Sequence, residues 1–166
     1  MPAEQSWPVL LNQKYEQKKT PITVINASIS GDTTGNGLAR LPTLLTQYNP
    51  DYLLIALGAN DGLRGFSANI ITDNLTQMIT LSQGKSIPVL LMQIKVPPNY
   101  GKRYNQLFTS IYPNLGEHYS LPVLDFFLEK IIVKPEWIME DGLHPKPEAQ
   151  DWIANFMEMQ LQPHLK

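Results

Sequence analysis

Short apolar runs alternate with longer stretches of helical periodicity along this chain, and that alternation leaves few folds open. The strand-like runs are residues 23–27, 52–57, 87–94 and 122–124; short apolar segments bounded by turn residues read as strands. Ser6-Trp7-Pro8 opens a helix, with a capping hydroxyl and a proline in the first turn, that runs to about Lys18 and buries Leu10, Leu11 and Tyr15. A second helix covers 38–48, where Asn49-Pro50 stops it. A third starts near Ser67, repeats Ile70, Ile71, Leu75, Met78 and Ile79 on one face, and closes at Gly84. Tyr104, Leu107, Phe108, Ile111 and Leu115 mark a fourth, and 147–160 a last one burying Trp152, Ile153 and Phe156. Strands alternating with helices predict an α/β fold, a three-layer α/β/α sandwich around a parallel sheet. Ligands of such sheets sit beyond the carboxyl ends of the strands. Chemistry is therefore expected in the loops 28–37, 58–65 and 96–101 and in the segment after Leu124.

Composition removes several function classes. The 166 residues suffice for a single domain. With 13 basic against 15 acidic residues, bulk charge argues against a nucleic-acid partner. The absence of cysteine excludes a disulfide scaffold, thiolate metal sites and a cysteine nucleophile. No apolar run approaches the ~20 residues of a membrane span, so stable membrane insertion is not expected. Residues 1–19 show no apolar stretch flanked by positive charge, and the expected location of the chain as it stands is cytoplasmic. The oligomeric state is not legible in the residues.

Three motifs carry potential chemistry. In Asp141-Gly142-Leu143-His144-Pro145, a carboxylate three residues from an imidazole across a tight turn is placed to accept a ring N–H and stabilise the imidazolium. The alternative is an exposed turn whose aspartate bonds only local backbone. The glycine-rich run Gly31-Asp32-Thr33-Thr34-Gly35-Asn36-Gly37 lacks the lysine and the glycine spacing of nucleotide loops. It offers backbone N–H groups suited to an oxyanion, or else an ordinary turn. Asn60, in Gly58-Ala59-Asn60-Asp61-Gly62, either donates its amide to developing negative charge or ties its own turn. His118 and His164 read as solvated, and three scattered histidines make no metal site. None of the eight serines has glycine on both sides at the spacing of a nucleophile elbow.

Together these residues resemble the SGNH hydrolases, the GDSL esterase and lipase superfamily, in its bacterial arylesterase, thioesterase and lysophospholipase subgroup. The run Asn26-Ala27-Ser28-Ile29-Ser30-Gly31-Asp32-Thr33 is similar to the family's second block, Leu57-Gly58-Ala59-Asn60-Asp61-Gly62 to its third, and Asp141-Gly142-Leu143-His144-Pro145 to its fifth. Residues 93–104 and Ile111-Tyr112-Pro113 also look like this subgroup. The resemblance implies a carboxylic ester and thioester hydrolase that needs no metal or organic cofactor and acts on a small-molecule acyl substrate. It implies His144 as general base, Asp141 as its orienting acid, Gly31 and Asn60 as the oxyanion hole, and Leu143, Val96 and Pro97 as lining of an acyl pocket.

The family's first block, a Gly-Asp-Ser-Leu turn after the first strand whose serine is the nucleophile, has no counterpart here. Trp7-Pro8-Val9-Leu10-Leu11 follows that block closely in relatives, and Gly31-Asp32-Thr33 has the context of the second block, so Thr33 is not the attacking group. The expectation is a single SGNH domain over 1–166, truncated at its N-terminus, without its own nucleophile and inactive by the serine route. A non-catalytic acyl-ligand binder is the alternative. The family's missing strand lies between those equivalent to 23–27 and 52–57. If four of its side chains were buried at ~1.5–3 kcal/mol each, its loss would forfeit ~6–12 kcal/mol, against a typical net stability of ~5–15 kcal/mol.

Overall fold

A computed structural model gives the fold and describes residues 1–165. The helices are α1 (Trp7–Gln17), α2 (Thr34–Tyr48), α3 (Ala59–Leu63), α4 (Ala68–Gly84), α5 (Lys102–Tyr119), α6 (Phe127–Ile131) and α7 (Pro147–Leu161). The strands are β1 (Leu53–Ile55), β2 (Val89–Met92) and β3 (Val123–Leu124). The chain divides into two compact units, one formed by Ser28–Asp125 and the other by Met1–Ala27 with the chain from Phe126 onward.

The Ser28–Asp125 unit is built on a parallel sheet of order β1-β2-β3. Leu53, Leu54 and Ile55 pair with Val89, Leu90 and Leu91, and Leu91 and Met92 pair with Val123 and Leu124. Every residue of β2 is buried, as an unbroken Val-Leu-Leu-Met run requires of a central parallel strand covered on both faces. Helices α4 and α5 pack against it. Ile71, Leu75, Met78, Ile79 and Ser82 form the buried stripe of α4. Ile70 lies one residue off that stripe, about 100° around the helix, and is 53% exposed rather than buried. Leu107 is displaced in the same way from the Phe108, Ile111, Tyr112 and Leu115 stripe of α5.

Three local expectations are corrected in this unit. The 28–37 segment is not loop throughout: α2 begins at Thr34, because Thr33 and Asn36 form a reciprocal capping box. The 58–65 segment contains the short helix α3, and the proline-rich 96–101 loop contains a single 3-10 turn at Pro98–Tyr100. Gly84 is the last helical residue of α4 rather than its cap, and the left-handed conformation falls on Ser86.

In the other unit α1 packs along α7, burying Leu11 and Tyr15 on one side and Ala149, Ile153, Ala154 and Met157 on the other. The Trp7 N–H donates to Gln150 Oε1 at 2.9 Å, and ion pairs join Lys14 to Asp151 and Lys18 to Glu158. Trp152 and Phe156 are half-buried, not core. Ser6 occupies the cap position of α1, but its hydroxyl donates to the Ala3 carbonyl at 2.6 Å instead of capping the helix. The largest departure is at 23–27, which forms no strand. A strand exists only through its ladder; here the Val24 N–H donates to the side-chain oxygen of Asn12 at 2.7 Å. Beyond Asp125, where sequence showed only a loop, lie α6 and a 3-10 turn at Pro135–Trp137.

Candidate active site

An antiparallel bridge between Ile138 and Pro145 closes a hairpin around Asp141-Gly142-Leu143-His144. The Met139 N–H donates to the His144 carbonyl at 2.8 Å and the Lys146 N–H to the Trp137 carbonyl at 2.7 Å. Within the turn Asp141 uses both of its oxygens. Oδ1 accepts the N–H of Leu143 at 2.9 Å and of His144 at 3.0 Å, while Oδ2 is hydrogen-bonded to His144 Nδ1. Both sequence readings of this motif therefore coexist, the local turn bond on one oxygen and the imidazole on the other. The two backbone N–H groups foremost, and the ring after them, hold the Asp141 carboxyl down at about 2. An ionised carboxylate on Nδ1 selects the tautomer protonated there and leaves Nε2 as the ring's acceptor. The His144 side chain is 65% exposed, so that acceptor is open to an incoming group.

In the Ser28–Asp125 unit the Gly31 loop and the Asn60 segment are joined directly. Asn60 Nδ2 donates one hydrogen to the Asp32 carbonyl at 3.0 Å, and its amide has a second hydrogen to give. Among the described residues the Gly31 N–H donates to no protein acceptor. The Arg40 guanidinium grips Asp32 Oδ2 through Nε at 3.0 Å and Nη2 at 2.7 Å, fixing the residue between Gly31 and the cap of α2. The Asp61 carboxylate, wholly buried, takes the Thr34 N–H at 2.8 Å and the Thr34 hydroxyl at 2.6 Å. A carboxylate at the first N–H of a helix meets both unpaired donors and the positive end of the helix dipole. Asn74 completes the cluster by donating to Thr34 Oγ1 at 3.1 Å.

A ladder of aromatic rings from the Pro98–Tyr100 turn and α5 secures the same segment. Tyr100, Tyr104, Phe108 and Tyr112 follow one another as tilted rings with centroids 6.2, 6.2 and 5.8 Å apart. Their hydroxyls donate to the carbonyls of Leu63 at 2.7 Å, Phe66 at 2.6 Å and Leu57 at 2.7 Å, bracketing Asn60 on both sides. Burial first, and the Asp61 charge second, push the Tyr112 hydroxyl well above the usual tyrosine range, so it stays a donor. Gly58, with φ of +125°, lies so close to this ladder that a Cβ there would come within 1.9 Å of the Tyr112 oxygen. Sequence reasoning missed the hydroxyl contacts and the Asp61 grip. The four-residue spacing of the rings was their only visible signal.

Of the other expected site residues, Leu143 is half-buried on the His144 turn. Val96 is 7% exposed and packed beside Gly62, and Pro97 is half-buried with its carbonyl accepting Asn105 Nδ2 at 3.1 Å. His118 is exposed on α5, where it lines an open groove of about 460 Å³ against α4.

A parallel α/β architecture with these motifs on its loops is that of the SGNH hydrolases. The structure matches a psychrotrophic esterase of Pseudoalteromonas sp., solved inhibited by monoethylphosphonate, with a TM-score of 0.94 and 42% identity over 96% of this chain and 87% of that one. Residues 2–152 match the GDSL-like lipase/acylhydrolase family, and the chain belongs to that family. An arylesterase of Vibrio mimicus is 59% identical over 165 residues, spanning 99% of this chain and 82% of the relative. Thioesterase 1/protease 1/lysophospholipase L1 of Escherichia coli K12 is 48% identical over 163 residues, spanning 98% of this chain and 77% of the relative.

Proposed function

We propose that this chain carries the acid–base and oxyanion machinery of a carboxylic ester and thioester hydrolase of the arylesterase, thioesterase and lysophospholipase type. The observation that carries the reading is the bond between the ionised Asp141 carboxylate and His144 Nδ1, which frees Nε2 to take a proton. In the reaction the hydroxyl of a Gly-Asp-Ser-Leu serine, a block that residues 1–166 do not contain, attacks the acyl carbon and becomes acylated while His144 Nε2 accepts its proton and Asp141 stabilises the imidazolium. The Gly31 N–H and the second hydrogen of Asn60 receive the charge that develops on the carbonyl oxygen. His144 then returns the proton to the departing alcohol or thiol, and water releases the acyl group by the same route. The resemblance to the family assigns Leu143, Val96 and Pro97 to the acyl side. The family match runs through both compact units, which supports treating 1–166 as one catalytic domain.

On this reading the attacking hydroxyl is not one of the chain's eight serines, because none lies in a Gly-Asp-Ser-Leu turn. A fluorophosphonate probe and a p-nitrophenyl ester assay on the purified chain test this. The expected result is no covalent label and background turnover only; a label mapped to any serine overturns the assignment. A longer chain supplying a Gly-Asp-Ser-Leu turn is expected to hydrolyse the ester. In that chain Asn60→Ala should cost ~10²–10³ in kcat, the usual effect of one oxyanion donor, and an unchanged kcat would remove Asn60 from the reading. Tight fatty-acid binding without turnover even in the longer chain would favour an acyl-ligand binder instead.

A further inference from the structure

A wholly buried carboxylate stands next to the proposed oxyanion donors, and the chemistry above gives it no task. Asp61 and Thr34 have no solvent exposure. Among the described residues no cation pairs with Asp61, so hydrogen bonds must offset the cost of burying its charge. Both of its oxygens engage one residue: Thr34 gives its N–H to Oδ1 at 2.8 Å and its hydroxyl to Oδ2 at 2.6 Å. Asn74 Nδ2, from α4, donates to that same hydroxyl oxygen at 3.1 Å. A threonine hydroxyl carries one hydrogen; with Asn74 donating to its oxygen, that hydrogen is left for Asp61. Helix α2 already has a cap in the Thr33–Asn36 box, so capping alone does not account for a second, buried carboxylate at its start.

The contact ties two segments together. Consecutive residues of α3 reach alternate residues beyond Gly31: Asn60 Nδ2 donates to the Asp32 carbonyl at 3.0 Å, and Asp61 accepts from Thr34. The N–H groups of Asp32, Thr33 and Thr34 are all taken, by the Ile29 carbonyl at 3.2 Å, Asn36 Oδ1 at 3.0 Å and Asp61 Oδ1. Among the described residues the Gly31 N–H and the second hydrogen of Asn60 stay without an acceptor. The segments that carry these two donors are thus bonded to each other at two points, and neither shifts without stretching one of them. We infer that Thr34, with Asn74 behind it, is a positioning residue that holds the Gly31 and Asn60 donors at one fixed spacing. Donors fixed before charge develops stabilise it without reorganising, and a misplacement of about 1 Å can cost ~10²-fold in rate. The consequence for turnover rests on the hydrolase function proposed above; the brace itself does not.

The test compares Thr34→Val, which keeps the shape and removes the hydroxyl, with Thr34→Ser, which keeps the hydroxyl. In the full 166-residue chain, nitrogen-15 NMR reads the side-chain amide of Asn60. Thr34→Val is expected to speed hydrogen exchange of that amide by at least ~10-fold, the loss of a hydrogen bond to a buried charge, and Thr34→Ser to restore the parent rate. Asn74→Ala, which leaves both Asp61 bonds in place, should act in the same direction by ~3-fold, about what one neutral hydrogen bond contributes. A lowered thermal midpoint with the Asn60 amide unaltered would make Thr34 a structural residue only and overturn the inference. Thr34→Ser behaving like Thr34→Val would overturn it too. If Thr34→Val does not fold, Asn74→Ala decides by the same readout. In a longer chain supplying the Gly-Asp-Ser-Leu turn, Thr34→Val should lower kcat by at least ~10-fold with KM unchanged, the mark of an interaction made in the transition state. An unchanged kcat, or a change in KM alone, overturns the inference. Failure of the longer parent chain to hydrolyse the ester would instead count against the hydrolase reading, and the amide measurements would still decide the brace.

Discussion

The Asn60 segment and the His144 turn are held in place by opposite means. Asn60 sits between carbonyls clamped by three tyrosine hydroxyls, beside an aspartate with no solvent exposure. His144 sits on an open turn whose side-chain bonds all come from within four consecutive residues. The contrast fits what each pair is proposed to do. An oxyanion donor contributes by being fixed before charge appears, since reorganising it during reaction would consume the stabilisation it offers. An imidazole base needs the correct tautomer and an accessible nitrogen, and a local carboxylate supplies the first without closing off the second.

Substitutions sharpen this contrast, and the largest effect is expected in the clamped region. Gly58→Ala forces a side chain into a left-handed backbone and against the Tyr112 hydroxyl; strain and overpacking together should cost ~2–6 kcal/mol in chemical denaturation. A melt like that of the parent would show that the ladder yields freely. Asp61→Asn keeps the volume but cannot accept both Thr34 donors as a carboxylate does. It should lose ~1.5–3 kcal/mol, the range for hydrogen bonds to a buried charge. Tyr112→Phe leaves the Leu57 carbonyl without its donor and should cost ~1–2 kcal/mol; amide exchange across 57–63 should accelerate with it.

At the open turn the effects on global stability should be smallest. Asp141→Asn is expected to leave the thermal midpoint unchanged while shifting the His144 ring resonances, because its bonds are local and solvated. An altered midpoint would mean that the turn supports more than itself. Acid titration completes the comparison. A carboxyl held at about 2 in the folded turn against 3.8 when free stabilises that turn above roughly pH 4, and the contribution is lost as pH falls through about 2. Carboxyl NMR should give an Asp141 midpoint near 2; one near 3.8 would show that the backbone N–H groups do not hold it.

How much of this was legible depended on where each residue finds its partners. The parallel α/β class followed from alternating apolar runs, and three of the four strand-like runs form β1, β2 and β3. The run 23–27 has the composition of a strand but no ladder, and composition carries no information about a neighbouring strand. The start of α2 was hidden behind glycines that usually mark loops, although the Thr33–Asn36 box that decides it is a local signal. Ile70 and Leu107 have the right character for a core and the wrong angle around their helices.

The sequence by itself determined the family, the motif order and the Asp141–His144 pairing, whose bonds span at most three residues and so depend on little beyond the turn. Only the tertiary structure decided what fixes Asn60. Asp61 reaches Thr34 across 27 residues and Tyr112 reaches Leu57 across 55. Bonds of that separation form only after other segments have been packed into place. Their partners are therefore set by the geometry of the packed sheet and helices, which no local pattern of residue types encodes.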